Sequence, residues 1–122
     1  MSAVRRVVPI VGVSDLAASA PAYRDVLGLV EVMNHGWIAT FADPDGRHQV
    51  SLLTRDATAA VDPQLSVEVD DVDAAHHRAL AAGLEIVHPL TDETWGVRRF
   101  FFRDAGGTVV NVLSHPPGTL DG

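Results

Sequence analysis

The stretch "VVPIVGVSDLAASAPAYRDVLGLVEV" (residues 7–32) has a second version later in the chain, "PQLSVEVDDVDAAHHRALAAGLEIVH" (residues 63–88). When the two segments are aligned, Asp15 lies over Asp71 and Gly28 lies close to Gly83. Self-similarity at a nearly fixed spacing indicates that one structural unit is used twice. This repeat determines how the rest of the chain is divided.

A second pair of matching segments follows each copy. "FADPDGRHQVSLL" (residues 41–53) matches "FRDAGGTVVNVLS" (residues 102–114), with Asp43 over Asp104 and Gly46 over Gly107. Turn residues between two apolar runs predict a β-hairpin. We therefore expect one domain over residues 1–122, with module one at about residues 4–54, a linker at about 55–62 and module two at about 63–115.

Each copy of the repeat predicts a strand followed by a helix. Alternating apolar residues open both copies, which is the pattern of a half-buried strand. Asp15 and Asp71 stand where a helix N-cap is favoured, and Gly28 and Gly83 stand where a helix C-cap glycine is favoured. Pro21 falls inside the first helix and should weaken or kink it. With the hairpins that follow, each unit becomes βαβββ, and the fold class is α+β.

The composition excludes several classes of protein. The chain has 122 residues and no cysteine, which removes disulfides, thiolate metal sites and cysteine nucleophiles. Its formal net charge is −7 and its nine basic residues are all Arg without a cluster, which argues against nucleic acid or an anionic membrane as a partner. No apolar run is long enough to span a membrane, and no signal-peptide pattern opens the chain. We expect a cytoplasmic protein.

Two segments together carry a family resemblance: "VPIVGVSDLAASAPAYRDVLGL" (residues 8–29) and "DETWGVRRFFFRDAGGTVVNVL" (residues 92–113). They resemble the vicinal oxygen chelate superfamily, which holds glyoxalases, extradiol dioxygenases, fosfomycin-modifying enzymes and bleomycin resistance proteins. The resemblance implies two βαβββ modules whose curved mixed sheets surround a cavity, and a homodimer. It is specific for fold and much less so for function, because one fold hosts several chemistries.

The resemblance also implies four cavity positions that bind a divalent metal in enzymes of the superfamily, usually through His, Gln or Glu. In this sequence they correspond to Val8, Val50, Gln64 and Asn111, with Leu52 as the module-one alternative if the hairpin is shifted. No carboxylate remains among them, so we expect neither a metal nor another cofactor. The six histidines show no spacing typical of a relocated metal site.

Hairpin geometry predicts which side chains line the cavity. A four-residue loop at residues 104–107 would place Phe100 opposite Asn111, and directly opposed residues share a face. The same reasoning places Trp37, Phe41 and His48 on the matching face of module one. The predicted ligand-binding residues are Trp37, Phe41, His48, Gln64, Ser66, Trp95, Arg98, Phe100, Phe102 and Asn111. Trp37 and Phe41 could instead pack in the core. Trp95 could instead be a structural anchor, and Arg98 could instead form an ion pair.

An aromatic cavity with a few polar groups is typical of a pocket for a flat, largely apolar ligand. The stretch "WGVRRF" (residues 95–100) and the V-P opening of the first strand resemble bleomycin-resistance-type sequences, which also lack the metal residues. We therefore expect a non-catalytic protein that binds and sequesters a small, largely aromatic or hydrophobic natural product, as in antibiotic resistance by drug binding. The alternatives are a metal-dependent or metal-free glyoxalase- or dioxygenase-like enzyme and a regulatory ligand sensor.

Overall fold

The computed structural model describes residues 3–115 and shows two βαβββ modules in sequence. Module one contains β1 (Val4–Gly12), helix α1 (Leu16–Pro21) with a π-helical continuation (Ala22–Val26), β2 (Val30–Asn34), β3 (Ile38–Ala42) and β4 (Gln49–Leu53). Module two contains β5 (Leu65–Val69), helix α2 (Val72–Ala81), β6 (Glu85–Asp92), β7 (Arg98–Arg103) and β8 (Val109–Ser114). The predicted α+β class is confirmed. No helix within residues 3–115 is long and apolar enough to span a bilayer.

The eight strands form one curved mixed sheet in the order β2-β3-β4-β1-β5-β8-β7-β6. In each module the first strand runs parallel to the last, with Ile10 beside Ser51 in module one and Ser66 beside Asn111 in module two. The modules join where β1 and β5 pair antiparallel, and Pro9 lies beside Leu65. The two copies of the repeat therefore meet at the centre of the sheet.

Both helices begin at the predicted caps. The Asp15 carboxylate accepts the backbone N–H of Ala18 at 3.1 Å, and the Asp71 carboxylate accepts that of Ala74 at 3.0 Å. Each bond satisfies one of the N–H groups that a helix start leaves without an intrahelical partner. The α-helical part of the first helix ends at Pro21 and continues as a π-helical turn, as expected because proline cannot donate a backbone hydrogen bond.

The core lies between the sheet and the two helices. In module two, Phe100 and Val112 pack against Val72 of α2, together with the partly buried Phe102. In module one, Phe41 packs beside Ala20 of α1. Both helices cover the same side of the sheet, so its other side is left to form a cavity.

The hairpin registers differ from the prediction because both loops are longer. In module two, Arg103 pairs with Val109, so residues 104–108 form the loop. The Asp104 carboxylate accepts the backbone N–H groups of Gly106 and Thr108, both at 2.9 Å, which holds Thr108 inside the turn. This extra residue places Phe101, not Phe100, opposite Asn111. A one-residue slip moves a whole strand to the other face relative to its partner.

The module-one loop is two residues longer than predicted, since Ala42 pairs with Gln49. The Asp43 carboxylate accepts the backbone N–H groups of Arg47 and His48 at 2.7 and 3.1 Å. The bond from His48 is the main reason that the pKa of Asp43 lies below its ordinary value. A two-residue shift preserves which residues share a face. However, the face that holds Phe41 packs against α1 and does not line the cavity.

Candidate functional site

A cavity of about 90 Å³ lies on the sheet face opposite the helices. Alternate residues of the central strands line it, because successive side chains of a strand point to opposite faces. The strand register sets Val8 beside Ser66, Ser66 beside Asn111, and Asn111 beside Phe101. The lining from the central strands includes Val8, Ile10, Ser51, Leu53, Ser66, Asn111 and Leu113.

Asn111 presents an open amide to this cavity. Its side chain is buried, with 5% of the residue exposed, and its Nδ2 donates to Ser66 Oγ at 2.7 Å. Within residues 3–115, its Oδ1 is buried and has no hydrogen-bond partner. Exchanging the amide oxygen and nitrogen would leave an open donor instead of an open acceptor. A buried polar atom without a partner lowers the stability of the fold by about 1–3 kcal/mol, so a hydrogen-bond partner at this atom would be stabilising.

The position in module one that is equivalent to Asn111 is Ser51. Each lies next to the first strand of its own module, Ser51 beside Ile10 and Asn111 beside Ser66. Ser51 Oγ and Thr40 Oγ1 are 2.7 Å apart, and both residues are buried. The predicted alternatives in module one were wrong, since Val50 and Leu52 pack with the α1 cluster.

Gln64 directly precedes β5 and is exposed. Its Oε1 accepts the backbone N–H of Val109 at 2.7 Å, so the side chain ties β5 to the beginning of β8. It is absent from the cavity lining, unlike Ser66 two residues later.

The four family positions in this structure do not fit a divalent metal. They hold Val8, Ser51, Gln64 and Asn111, which supply no imidazole and no carboxylate. Divalent metals in proteins are held mainly by His, Cys, Asp and Glu side chains. In addition, no group of three or more such side chains within residues 3–115 could hold a metal ion.

Ion pairs occupy both ends of the cavity. At one end, Glu68 lies 3.0 Å from Arg6 Nη2 and 3.1 Å from His115 Nδ1. Arg6 also donates to Gln49 Oε1 at 3.2 Å. These charges are therefore paired within the chain and do not need a charged ligand for neutralisation.

At the other end, Arg99 holds a buried cluster together. Its Nη atoms donate to both oxygens of Asp56 at 2.9 and 2.8 Å, and its Nε donates to Glu93 Oε2 at 2.6 Å. The guanidinium also lies over the rings of Trp95 and Phe101, 4.8 and 4.7 Å from their centroids. Because Asp56 belongs to the linker between the modules, Arg99 fastens this linker to module two.

Sequence reasoning missed Arg99 and Asp56. The predicted register placed Arg98 on the cavity face, whereas β7 turns Arg99 there and leaves Arg98 on the helix side, bound to Asp73. The linker position of Asp56 carried no local motif. The unusual pair of consecutive arginines before three phenylalanines was the available signal, since alternation requires one of them to lie on each face.

Three rings form the rim of the cavity. Trp37 and Trp95 meet edge to face with centroids 5.4 Å apart, and His35 lies 6.2 Å from Trp37 and 5.6 Å from Trp95. Trp95 Nε1 donates to Thr58 Oγ1 at 3.2 Å. Both tryptophans line the cavity and are half-buried, so an entering ligand would contact them.

Of the ten predicted ligand-binding residues, the structure brings four together in the cavity lining: Trp37, Ser66, Trp95 and Asn111. His48 is exposed in the first hairpin, and Gln64 is bound to β8. The remaining four lie on the helix side of the sheet: Phe41, Arg98, Phe100 and Phe102.

The contacts on the helix side explain these positions. Phe100 packs against His76 of α2 with centroids 4.9 Å apart. Phe41 lies at a separate, more open hollow of about 630 Å³ beside α1. Arg98 binds Asp73 at 2.8 Å and Asp92 at 3.2 Å, and its hydrogen bond is the main reason that the pKa of Asp73 is lowered. Arg98 therefore forms ion pairs, which was the alternative to its predicted contact with a ligand.

Comparisons with known proteins agree with this fold. The family model for the Glyoxalase/Bleomycin resistance protein/Dioxygenase superfamily matches residues 5–112. A methylmalonyl-CoA epimerase from Mycobacterium tuberculosis is 25% identical, with a TM-score of 0.67 over 93% of this chain and 88% of that one. The Mn(II)-bound glyoxalase from Novosphingobium aromaticivorans is 27% identical, with a TM-score of 0.62 over 91% of this chain and 38% of that one.

A superfamily member from Vibrio splendidus 12B01 is 18% identical, with a TM-score of 0.66 over 92% of this chain and 99% of that one, and it supports the fold alone. Curated proteins gave no significant match.

Proposed function

Because the chain belongs to the glyoxalase/bleomycin resistance protein/dioxygenase superfamily and its four metal positions do not fit a metal, we propose that it is a binding protein without catalytic activity. It takes up a small, largely aromatic or hydrophobic natural product, such as an antibiotic, and sequesters it in the cavity. The similar proteins with known activities support the fold, and one fold hosts several chemistries, so the side chains of this cavity are what support the proposal.

The open carbonyl of Asn111 carries the proposal. A protein core of this kind would ordinarily pair or replace a buried amide oxygen. This oxygen instead faces a cavity with apolar walls, to which Leu113 contributes from the same strand as Asn111 and Val8 from β1, on the far side of β5. Apolar walls with a few placed polar groups are characteristic of small-molecule sites.

The rim supports an aromatic ligand. Trp37 and Trp95 are held at an angle to each other, and ring pairs gain about 0.5–1.5 kcal/mol beyond area burial. The cavity volume is about 90 Å³, which is room for several water molecules at about 10–15 Å³ each. The cavity would therefore enclose only part of a drug-sized molecule. The rest of the ligand would extend over the tryptophans.

We also propose that the protein is a homodimer confined to the cytoplasm. Apolar side chains are exposed on module one, among them Val7 on β1, Val26 and Leu27 after α1, and Val30 and Val32 on the edge strand β2. A concentration of exposed apolar side chains on one module favours a protein–protein contact there. Light scattering after size-exclusion chromatography tests this, and a mass of one chain at micromolar concentration would contradict it.

Fluorescence titration tests the proposed function directly. The chain has two tryptophans and both line the cavity, so their emission reports on its mouth. Adding antibiotics with aromatic rings should change this emission in a saturable way, and the single variants W37F and W95F should each keep part of the change. Unchanged emission across a broad panel would contradict the proposal.

The enzymatic alternative makes a different prediction about metal. A metal-dependent glyoxalase- or dioxygenase-like enzyme would retain a stoichiometric divalent ion after purification, whereas the proposed binding protein would not. Elemental analysis of the protein purified without chelators separates the two. One zinc, iron, manganese or nickel ion per chain would favour the enzyme.

A further inference from the structure

We propose that the ligand of this cavity is electrically neutral and presents a lactam- or amide-type edge, with an N–H donor beside a C=O acceptor on a flat ring. This inference rests on the proposed function, because it names the chemistry of the molecule that the cavity binds. The cavity leaves hydrogen-bonding groups unused, while its charged side chains are paired with one another.

Asn111 and Ser66 together offer an acceptor beside a donor. Asn111 Oδ1 is buried without a partner among residues 3–115 and is available to accept a hydrogen bond. Ser66 Oγ accepts from Asn111 Nδ2 at 2.7 Å, so the serine proton is not used in that bond and is available to donate. A ligand N–H reaching Asn111 and an adjacent ligand carbonyl reaching Ser66 would satisfy both groups.

The hydroxyl pair of module one adds a second donor across the cavity. Thr40 Oγ1 and Ser51 Oγ lie 2.7 Å apart, so one of their two protons forms the bond between them. The other proton has no acceptor that the structure shows within residues 3–115. The equivalent family positions on β4 and β8, Ser51 and Asn111, therefore carry uncharged hydrogen-bonding groups, where a metal site would carry imidazoles or carboxylates.

The charged side chains of the lining are already paired. Glu68 is bound by Arg6 and His115, and Asp56 is bound by Arg99. A charged ligand would lose its hydration without gaining an unused opposite charge, which is unfavourable. An anion would in addition face the carbonyl oxygen of Asn111. A neutral ligand avoids both costs.

Four two-ring probes of similar size test the inference. Isoquinolin-1-one has the N–H beside the C=O, its N-methyl derivative lacks the donor, naphthalene lacks both groups, and 1-naphthoate is an anion. Binding is measured from ¹H–¹⁵N spectra of the protein, following the side-chain NH₂ of Asn111 and the indole N–H of the two tryptophans. The N111V variant tests the amide, and H77A on the exposed face of α2 is the matched control.

We expect isoquinolin-1-one to shift the Asn111 and indole signals and to bind about fivefold more tightly than its N-methyl derivative, the effect of one hydrogen bond. N111V should lose this preference and H77A should keep it. Equal binding of all three neutral probes, or tighter binding of 1-naphthoate, would overturn the inference while leaving ligand binding in the cavity intact. If none of the four probes shifts these signals, the inference and the proposed function both fail.

Discussion

Replacing Asn111 with Val removes a buried polar group from the middle of the sheet and should not destabilise the protein. Valine is apolar and β-branched, which suits a strand. Asn111 lies on β8 between β5 and β7, where Ser66 and Phe101 are its neighbours. The substitution eliminates one hydrogen bond and one unsatisfied carbonyl at the same time.

The two effects have opposite signs. The bond from Asn111 Nδ2 to Ser66 Oγ contributes about 1 kcal/mol, and the unsatisfied Oδ1 costs about 1–3 kcal/mol. The free energy of unfolding of N111V should therefore be equal to that of the wild type or higher by up to about 2 kcal/mol. Ser66→Ala is the matched control. It removes the same bond but leaves the whole amide without a partner, so S66A should lose about 1–3 kcal/mol.

Urea unfolding at pH 7, followed by circular dichroism, measures both variants. The midpoint of S66A should fall, and that of N111V should stay the same or rise, while the slope with urea stays the same, since a changed slope would report a different denatured state. A loss of more than about 1 kcal/mol in N111V would refute the reasoning. It would mean that the amide is a satisfied structural group.

Three further predictions concern the ion pairs and the metal positions. R99M should lose roughly 3–5 kcal/mol in urea unfolding, because it leaves the buried Asp56 carboxylate without its ion-pair partner. R103M should lose less than about 1 kcal/mol, because its pair with Glu85 is partly exposed, and similar losses in the two variants would contradict the account. Arg98 lowers the pKa of Asp73 below its ordinary 3.8, so this pair stabilises the fold above that pH and its contribution is lost as pH falls through the lowered pKa. Urea unfolding of R98Q should therefore approach that of the wild type in acid, and a constant difference down to pH 2 would argue against the pair. Installing family ligand types at the three family positions that line the cavity should create a metal site, so zinc should bind the triple variant V8H/S51E/N111E in a calorimetric titration and not the wild type. Equal binding by the two proteins would show that these positions do not converge.

The fold could be predicted from the sequence because its signals are local and occur twice. The capping carboxylates Asp15 and Asp71 and the helix-breaking Pro21 act on residues within one turn of themselves. Each module repeats the same order of signals, so an ambiguous segment in one copy is supported by the other. These are the patterns for which short-range rules hold.

The site was only partly predictable because it depends on register and on distant contacts. The Asp104 carboxylate draws Thr108 into the turn, and this single residue decides whether Phe100 or Phe101 faces Asn111. Arg99 meets Asp56 across 43 positions of the chain, a contact that no local pattern indicates. Positions defined within one strand, such as Ser66 and Asn111, were therefore placed better than positions defined by pairing across a hairpin.

Calorimetric titration in the presence of a chelator tests the central claim most directly. The antibiotic with the largest effect on tryptophan emission is titrated into the wild type and N111V, with EDTA in excess. We expect the wild type to bind without metal and N111V to bind at least about fivefold more weakly, although its stability is not reduced. Equal affinity of the two proteins, or binding that appears only when a divalent metal is restored, would contradict a metal-independent ligand site at Asn111.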